Sequence, residues 1–190
     1  MKIPKLHGYI DRRILINFTA DPKVVEKIIP FPFRPQIYKD KAIVGICLIR
    51  LKNIKLKGFP DFVGVNSENA AHRIAVEWDE NGETKSGVYI PRRDTSSRLN
   101  TFVGGRIFPG RHYLAKLNVK ENNGNYHIDF KSSDDTEISI DATETKLFND
   151  QSIFETLNNV SDFFESGNIG YSPNKDKFDG LRLKAYKWEV

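Results

Sequence analysis

Five arginines, Arg92, Arg93, Arg98, Arg106 and Arg111, fall between Pro91 and His112 against a single acid, Asp94. Removing those five from the 29 lysines and arginines, and Asp94 from the 25 acids, leaves equal numbers, so the net charge of +4 is local to this stretch. A guanidinium presents two parallel donors to two oxygens, which suits a small carboxylate. The same stretch contains Gly104, Gly105, Arg106, Ile107, Phe108, Pro109 and Gly110, where glycines permit close backbone approach and Pro109 stiffens a turn. Arg106, Arg111 and His112 are therefore the candidate anion-binding residues, with Arg73 and Tyr89 as further lining. A solvated rim, or capping of helix ends, is the other reading of the same arginines. If the site is catalytic, His112 or Glu77 is the candidate acid or base, and Lys116 the candidate amine.

Other chemistries find less support. The histidines His7, His72, His112 and His127 are scattered, with no i, i+4 pair and no adjacent second ligand, so no metal is expected. No phosphate loop, dinucleotide fingerprint or serine nucleophile elbow occurs, and no cofactor is expected. The block Asp134, Asp135, Glu137, Asp141, Glu144 alternates with Ile138 and Ile140 and reads as a solvated hairpin. A pI near 9.0 is modest for a nucleic-acid binder, and the aromatics follow core periodicity instead of interleaving with arginine, so nucleic acid is not expected. No apolar run approaches a membrane span or a signal peptide, and no membrane association is expected. The one cysteine, Cys47, lies in an apolar run and reads as a buried thiol. These features place the protein in the cytoplasm, and homo-oligomerisation is compatible with them.

A scaffold must position these groups. With 39% hydrophobic and 28% charged residues, the 190-residue chain is an ordinary globular composition, and residues 1–190 read as one domain. Period-two alternation dominates. Arg13, Leu15 and Asn17 oppose Ile14, Ile16 and Phe18; the run from Lys41 to Leu51 suits a strand buried on both faces. His72, Ile74, Val76 and Trp78 oppose Ala71, Arg73, Ala75 and Glu77, and Asn81-Gly82 turns the chain back into Val88, Tyr89 and Ile90. On that strand Arg73 and Glu77 share a face, expected to point outward as an exposed ion pair. Leu114–Lys120, Tyr126–Lys131 and Glu137–Thr143 form an up-and-down series, with Lys116 beside His112 on one face. Three helices are expected: one capped by Asp21 ahead of Pro22, one capped by Asp94 or Thr95 and ending at Gly104-Gly105, and one from Asp150 through Ile153, Leu157, Val160 and Phe164 to Gly167. Leu181, Leu183 and Ala185 alternate with Arg182, Lys184 and Tyr186 as a last strand.

A series of residues along the chain resembles an uncharacterised, mainly bacterial protein family. It runs through Asp21, Pro22, Ile29, Pro30, Ala42, Val44, Gly45, Ile46, Arg50, Asn53, Lys55 and Gly58-Phe59-Pro60, then Gly87-Val88-Tyr89, Asp94, Ser97-Arg98-Leu99, Gly105-Arg106, Phe108-Pro109, and finally Phe164, Gly167, Gly170-Tyr171-Ser172, Gly180-Leu181 and Trp188. That family is similar to the acetoacetate decarboxylase-like superfamily. The resemblance implies an α+β, mainly β fold: a closed antiparallel barrel with a few peripheral helices and a small-molecule pocket inside. It also implies a sequence continuing beyond Trp188. The decarboxylases carry two adjacent lysines after the Phe-Pro pair, the familiar instance of an amine activated by a neighbouring cation. Here Gly110, Arg111 and His112 follow Phe108-Pro109, and arginine keeps the charge without being an amine nucleophile. The leading expectation is thus a protein that binds a small organic acid and lacks the Schiff-base lysine pair. An enzyme acting on a small carboxylate or oxo acid, and a structural or interaction protein with a vestigial pocket, are the alternatives.

Overall fold

The computed structural model describes residues 5–104 and 109–184, and its path is dominated by long strands. The chain opens with β1 (Leu6–Ala20), then α1 (Pro22–Glu26), two short strands β2 (Arg34–Pro35) and β3 (Ile37–Tyr38), and β4 (Lys41–Leu56). A 3-10 turn at Asp61–Val63 leads into β5 (Val65–Glu80) and β6 (Glu83–Thr95), followed by α2 (Arg98–Val103). The meander β7 (His112–Asn122), β8 (Asn125–Ser132) and β9 (Glu137–Thr143) precedes α3 (Leu157–Ser166) and the hairpin β10 (Ile169–Asn174) and β11 (Lys177–Arg182).

Local chemistry explains the turns. Asn81 and Asn123 take φ of 54° and 47°, and Gly82 and Gly124 take 80° and 77°, so each Asn-Gly pair supplies the two positive-φ residues of a two-residue hairpin. Asp21 accepts from the Lys23 amide with Pro22 in the first turn, as expected of α1. The other two caps differ from expectation. Ser97 caps α2 by accepting from the Asn100 amide, because Asp94 and Thr95 are fully buried at the end of β6. Thr156, not Asp150, caps α3, and Ile153 joins the core from the preceding turn. The last strand likewise begins earlier, at Lys177, and residues 185–190 lie outside the described residues.

The ladders run β1-β4-β5-β6-β7-β8-β9, antiparallel except for β6–β7, with β10 also parallel to β6. Among the described residues no ladder joins β9 to β1, so the sheet is a mainly β curl, a half-barrel. Side chains draw its ends together. Ile46, Leu48, Ala70, Ala115, Ile128 and Phe130 form one buried cluster, against which Ile14 and Ile16 of β1 and Ile138 and Ile140 of β9 both pack. Further along the same face, Arg12 and Arg50 both bind Glu68 and Glu121, tying β1 and β4 to β7. The inside of the curl at this end is therefore packed core. At the other end of this face Val76, Trp78 and Tyr89 are covered by Phe33 and by Tyr171 and Phe178 of the β10–β11 hairpin.

The opposite face, holding Ile43 and Ala75, is covered by Phe154, Val160 and Phe164 around α3. The Arg73 face thus points away from the inside of the curl, but the exposed ion pair expected there is corrected: under α3 Arg73 is only 8% exposed, and it does not pair with Glu77. Glu77 lies at the rim, where its carboxylate is 3.6 Å from Arg34. Among the described residues no helix is long and apolar enough to cross a membrane.

Candidate functional site

Strand β6 shares one edge between two parallel partners. β10 pairs with it at Val88 and Tyr89, and β7 pairs with it from Arg93 to Thr95. Between them, His72 faces Arg92 and Ile74 faces Tyr89, so Arg73 is opposed by the extra pair Ile90-Pro91. This is a bulge, and Pro91, which has no amide to donate, is suited to it. Where β10 leaves and β7 arrives, the edge opens into a cleft of about 400 Å³, within the range of small-molecule sites. It is lined by Ile90 and Pro91 of β6, by Arg111 and Tyr113 from the start of β7, and by Ser172 and Lys175 from β10 and the turn after it.

Tertiary contacts hold these segments. Ser172 is buried, and its hydroxyl accepts from Arg93 Nε at 2.9 Å. Gly110 has φ of 71°, and a Cβ there would lie 2.5 Å from Ser172 Cβ, so this position needs glycine for both conformation and space. The Gly110 amide donates to Asp179 Oδ2 at 3.0 Å, and Asn174 Nδ2 donates to the same oxygen at 2.8 Å. Asp179 thereby ties the turn before β7 to the β10–β11 hairpin. Arg111 is exposed, with its guanidinium 5.0 Å from the Tyr113 ring centroid. Among the described residues, none of those lining the cleft is acidic.

Arg93 stands behind Ser172. Burial depresses its pKa to about 10, opposed by Cys47 and Asp179, so it remains cationic at neutral pH. Its Nη2 is buried without a hydrogen-bond partner among the described residues. Burial, and then the Arg93 charge, push His112 down to about 4, which makes it a neutral imidazole at pH 7. Its Nδ1 lies 3.2 Å from the Gly110 carbonyl oxygen, and since a carbonyl only accepts, the ring proton sits on Nδ1.

The candidates from the sequence are thus divided. Arg111 lines the cleft and His112 abuts its Gly104 and Gly110 end. Arg73 lines a different, much smaller cavity. Tyr89 is buried between Phe33 and Phe178 in the aromatic core, where burial raises its pKa. Lys116 is exposed on β7 opposite Lys131, and Glu77 sits on the rim; neither lines the cleft. Arg106 lies outside the described residues. Ser172, Tyr113 and Lys175 were not singled out for a site. Ser172 meets Arg93 across 79 residues of chain, a proximity that no local pattern encodes. Among the described residues no group of three or more His, Cys, Asp or Glu side chains is placed to hold a metal ion.

A curled sheet with a cationic cleft at a split strand edge defines the class. Residues 10–186 match the DUF2071 family, described as an uncharacterized conserved protein, and the chain belongs to that family. Compared by sequence with curated proteins, the chain has no match. Among solved structures it is similar to acetoacetate decarboxylase from Legionella pneumophila, with a TM-score of 0.54 at 14% identity over 94% of this chain. That likeness shows the fold, and the chain spans 63% of the length of that structure.

Proposed function

We propose that this protein binds a small organic acid in the cleft between β7 and β10. The observation that carries the reading is the cleft itself, whose lining includes Arg111, Lys175 and Ser172 and, among the described residues, no acidic side chain. Arg111 receives the carboxylate, Ser172 donates its hydroxyl proton to the ligand while accepting from Arg93, and Tyr113 packs against the carbon skeleton. Arg106 is a further cation for the same anion. The reading is binding and not Schiff-base decarboxylation, because the β7 side of the cleft carries Gly110, Arg111 and His112 where that chemistry requires a lysine pair. A cytoplasmic setting accords with the single buried thiol of Cys47.

Titration with pyruvate, acetoacetate and succinate tests this. A charge-assisted hydrogen bond contributes roughly 1.5–3 kcal/mol, so Arg111→Gln weakens the acid that binds by about tenfold to a hundredfold. Binding that is equally tight in Arg111→Gln and Arg106→Gln overturns the assignment. Borohydride treatment in the presence of acetoacetate is expected to leave the protein mass unchanged, and an adduct on Lys175 would replace the binding reading with an enzymatic one.

A further inference from the structure

We propose that Arg73 holds a monatomic anion of the chloride class in a buried site beneath α3, separate from the cleft. The two places share no lining residue. Arg73 projects from β5 to the face covered by α3, where it is more than nine-tenths buried and its guanidinium lies 5.0 Å from the Phe164 ring centroid. One nitrogen, Nη2, donates to Asn17 Oδ1 at 2.6 Å, while Nε is buried with no hydrogen-bond partner among the described residues. Burying a guanidinium without a counter-charge is costly, and partners are normally found for it. Here the titratable neighbours that bear on Arg73 are Cys47 and Arg13, with no carboxylate among them in the described residues, and Arg13 adds a second positive charge. Burial lowers the Arg73 pKa to about 10, which leaves it charged at neutral pH.

Arg73, Asn17 and Gln36 line a cavity of about 10 Å³, with Ala75 and Phe164 as apolar walls. That volume is room for roughly one water-sized body. Size thus excludes a carboxylate and its carbon chain, and charge favours a monatomic anion over water, which gives Nε a hydrogen bond and the site no neutralisation. Gln36, whose side-chain amide carries two donor hydrogens, is a further polar residue of the lining.

Thermal unfolding in sodium chloride against sodium gluconate at equal ionic strength tests the proposal. A ligand bound only by the folded state raises the midpoint, here by roughly 5–10 °C at a hundredfold excess over Kd. Arg73→Met is expected to lose this chloride dependence, and Arg111→Gln to keep it, which separates failure of this site from failure of the organic-acid reading. Equal midpoints in the two salts, or a chloride effect undiminished in Arg73→Met, overturn it. If Arg73→Met does not fold, bromide-soaked crystals of the unaltered protein decide. An anomalous peak in hydrogen-bond range of Arg73 Nε supports the site, and its absence at saturating bromide overturns it.

Discussion

Arg92 and Arg93 are consecutive on β6, yet they serve opposite faces of the sheet in opposite electrostatic states. Arg92 donates from Nε and Nη2 to the two oxygens of Asp94, both at 2.8 Å, and reaches Asp134 and Ser132 as well. These hydrogen bonds, Asp94 first, hold its pKa above the ordinary arginine value. Arg93 has one hydroxyl partner, an orphaned Nη2 and a pKa brought down to about 10 by burial. The first arginine is part of the framework, because its charge is already matched. The second retains unspent hydrogen-bonding capacity next to the cleft. A local excess of arginine therefore says little about ligands until the face each one takes is known.

The largest effect is expected on the matched side. Asp94 is fully buried and accepts from Arg92 and from Ser132 at 2.7 Å, with His72 Nε2 at 3.5 Å. Arg92→Met leaves this carboxylate without its principal partner, and breaking a buried ion pair from one side costs about 3–5 kcal/mol. Urea unfolding at pH 7 measures it. Burial alone would raise the Asp94 pKa, but the nearby His72 ring and the hydrogen bonds from Arg92 and Ser132 outweigh it and keep the group below its ordinary 3.8. Its stabilisation is therefore present above that value and is lost as pH falls through the lower folded-state value. In Arg92→Met the acid-induced loss begins at higher pH. A variant as stable as the unaltered protein would refute the framework role of Arg92.

Much of the fold was legible because the relevant physics is local. Both Asn-Gly hairpins, the Asp21-Pro22 helix start and the alternation of β4 and β5 depend on φ, capping or period, which neighbouring residues set. The caps of α2 and α3 were misplaced because several oxygen-bearing side chains compete near each start, and tertiary burial removed Asp94 and Thr95 from the contest. The β10–β11 hairpin escaped notice for a similar reason: Lys175, with φ of 55°, turns it without an Asn-Gly signature, and Pro173 interrupts the strand pattern. Of the site, the arginine cluster was visible and Arg111 does line the cleft. The β10 side was invisible, since Ser172 and Lys175 arrive by a parallel pairing of β10 with β6 from far along the chain.

A smaller, pH-dependent effect is expected from His112, which reports on the unmatched face. Its folded-state pKa is about 4, depressed by burial and then by Arg93, against an unperturbed value near 6.5. Between those values the unfolded chain binds a proton that the folded chain refuses, so stability rises with pH across this window and falls as pH drops from 6.5 toward 4. The loss is about 3 kcal/mol in full. His112→Gln is expected to flatten the pH dependence of stability in that window while leaving the Asp94 region, below 3.8, unchanged. Arg93→Met, by removing the neighbouring charge, raises the His112 pKa, and this is measurable by NMR titration of the ring protons. An unmoved titration would mean that Arg93 does not govern the electrostatics beside the cleft.

The smallest effect on stability is expected from that same Arg93→Met change, and its smallness is the point of the comparison. Removing Arg92 strands a buried carboxylate, whereas removing Arg93 strands no charge, because Arg93 forms no ion pair among the described residues. What the variant loses is one hydrogen bond to Ser172. Replacing a partly buried, incompletely compensated charge with an apolar side chain of similar volume is often neutral or stabilising, by up to several kcal/mol, and loss of the single charge-assisted bond to the hydroxyl costs roughly 1.5–3 kcal/mol. These effects oppose each other, so the net change is expected to stay within about 1 kcal/mol, several-fold below the effect of Arg92→Met. Ser172, released from Arg93, then has only the ligand to orient it, so acid binding weakens in a variant whose stability is nearly unchanged. Parallel urea unfolding of the two methionine variants, each with an acid titration, makes the measurement. Equal destabilisation by both would show that Arg93 is as much a framework residue as Arg92, and the contrast between the two faces would fail.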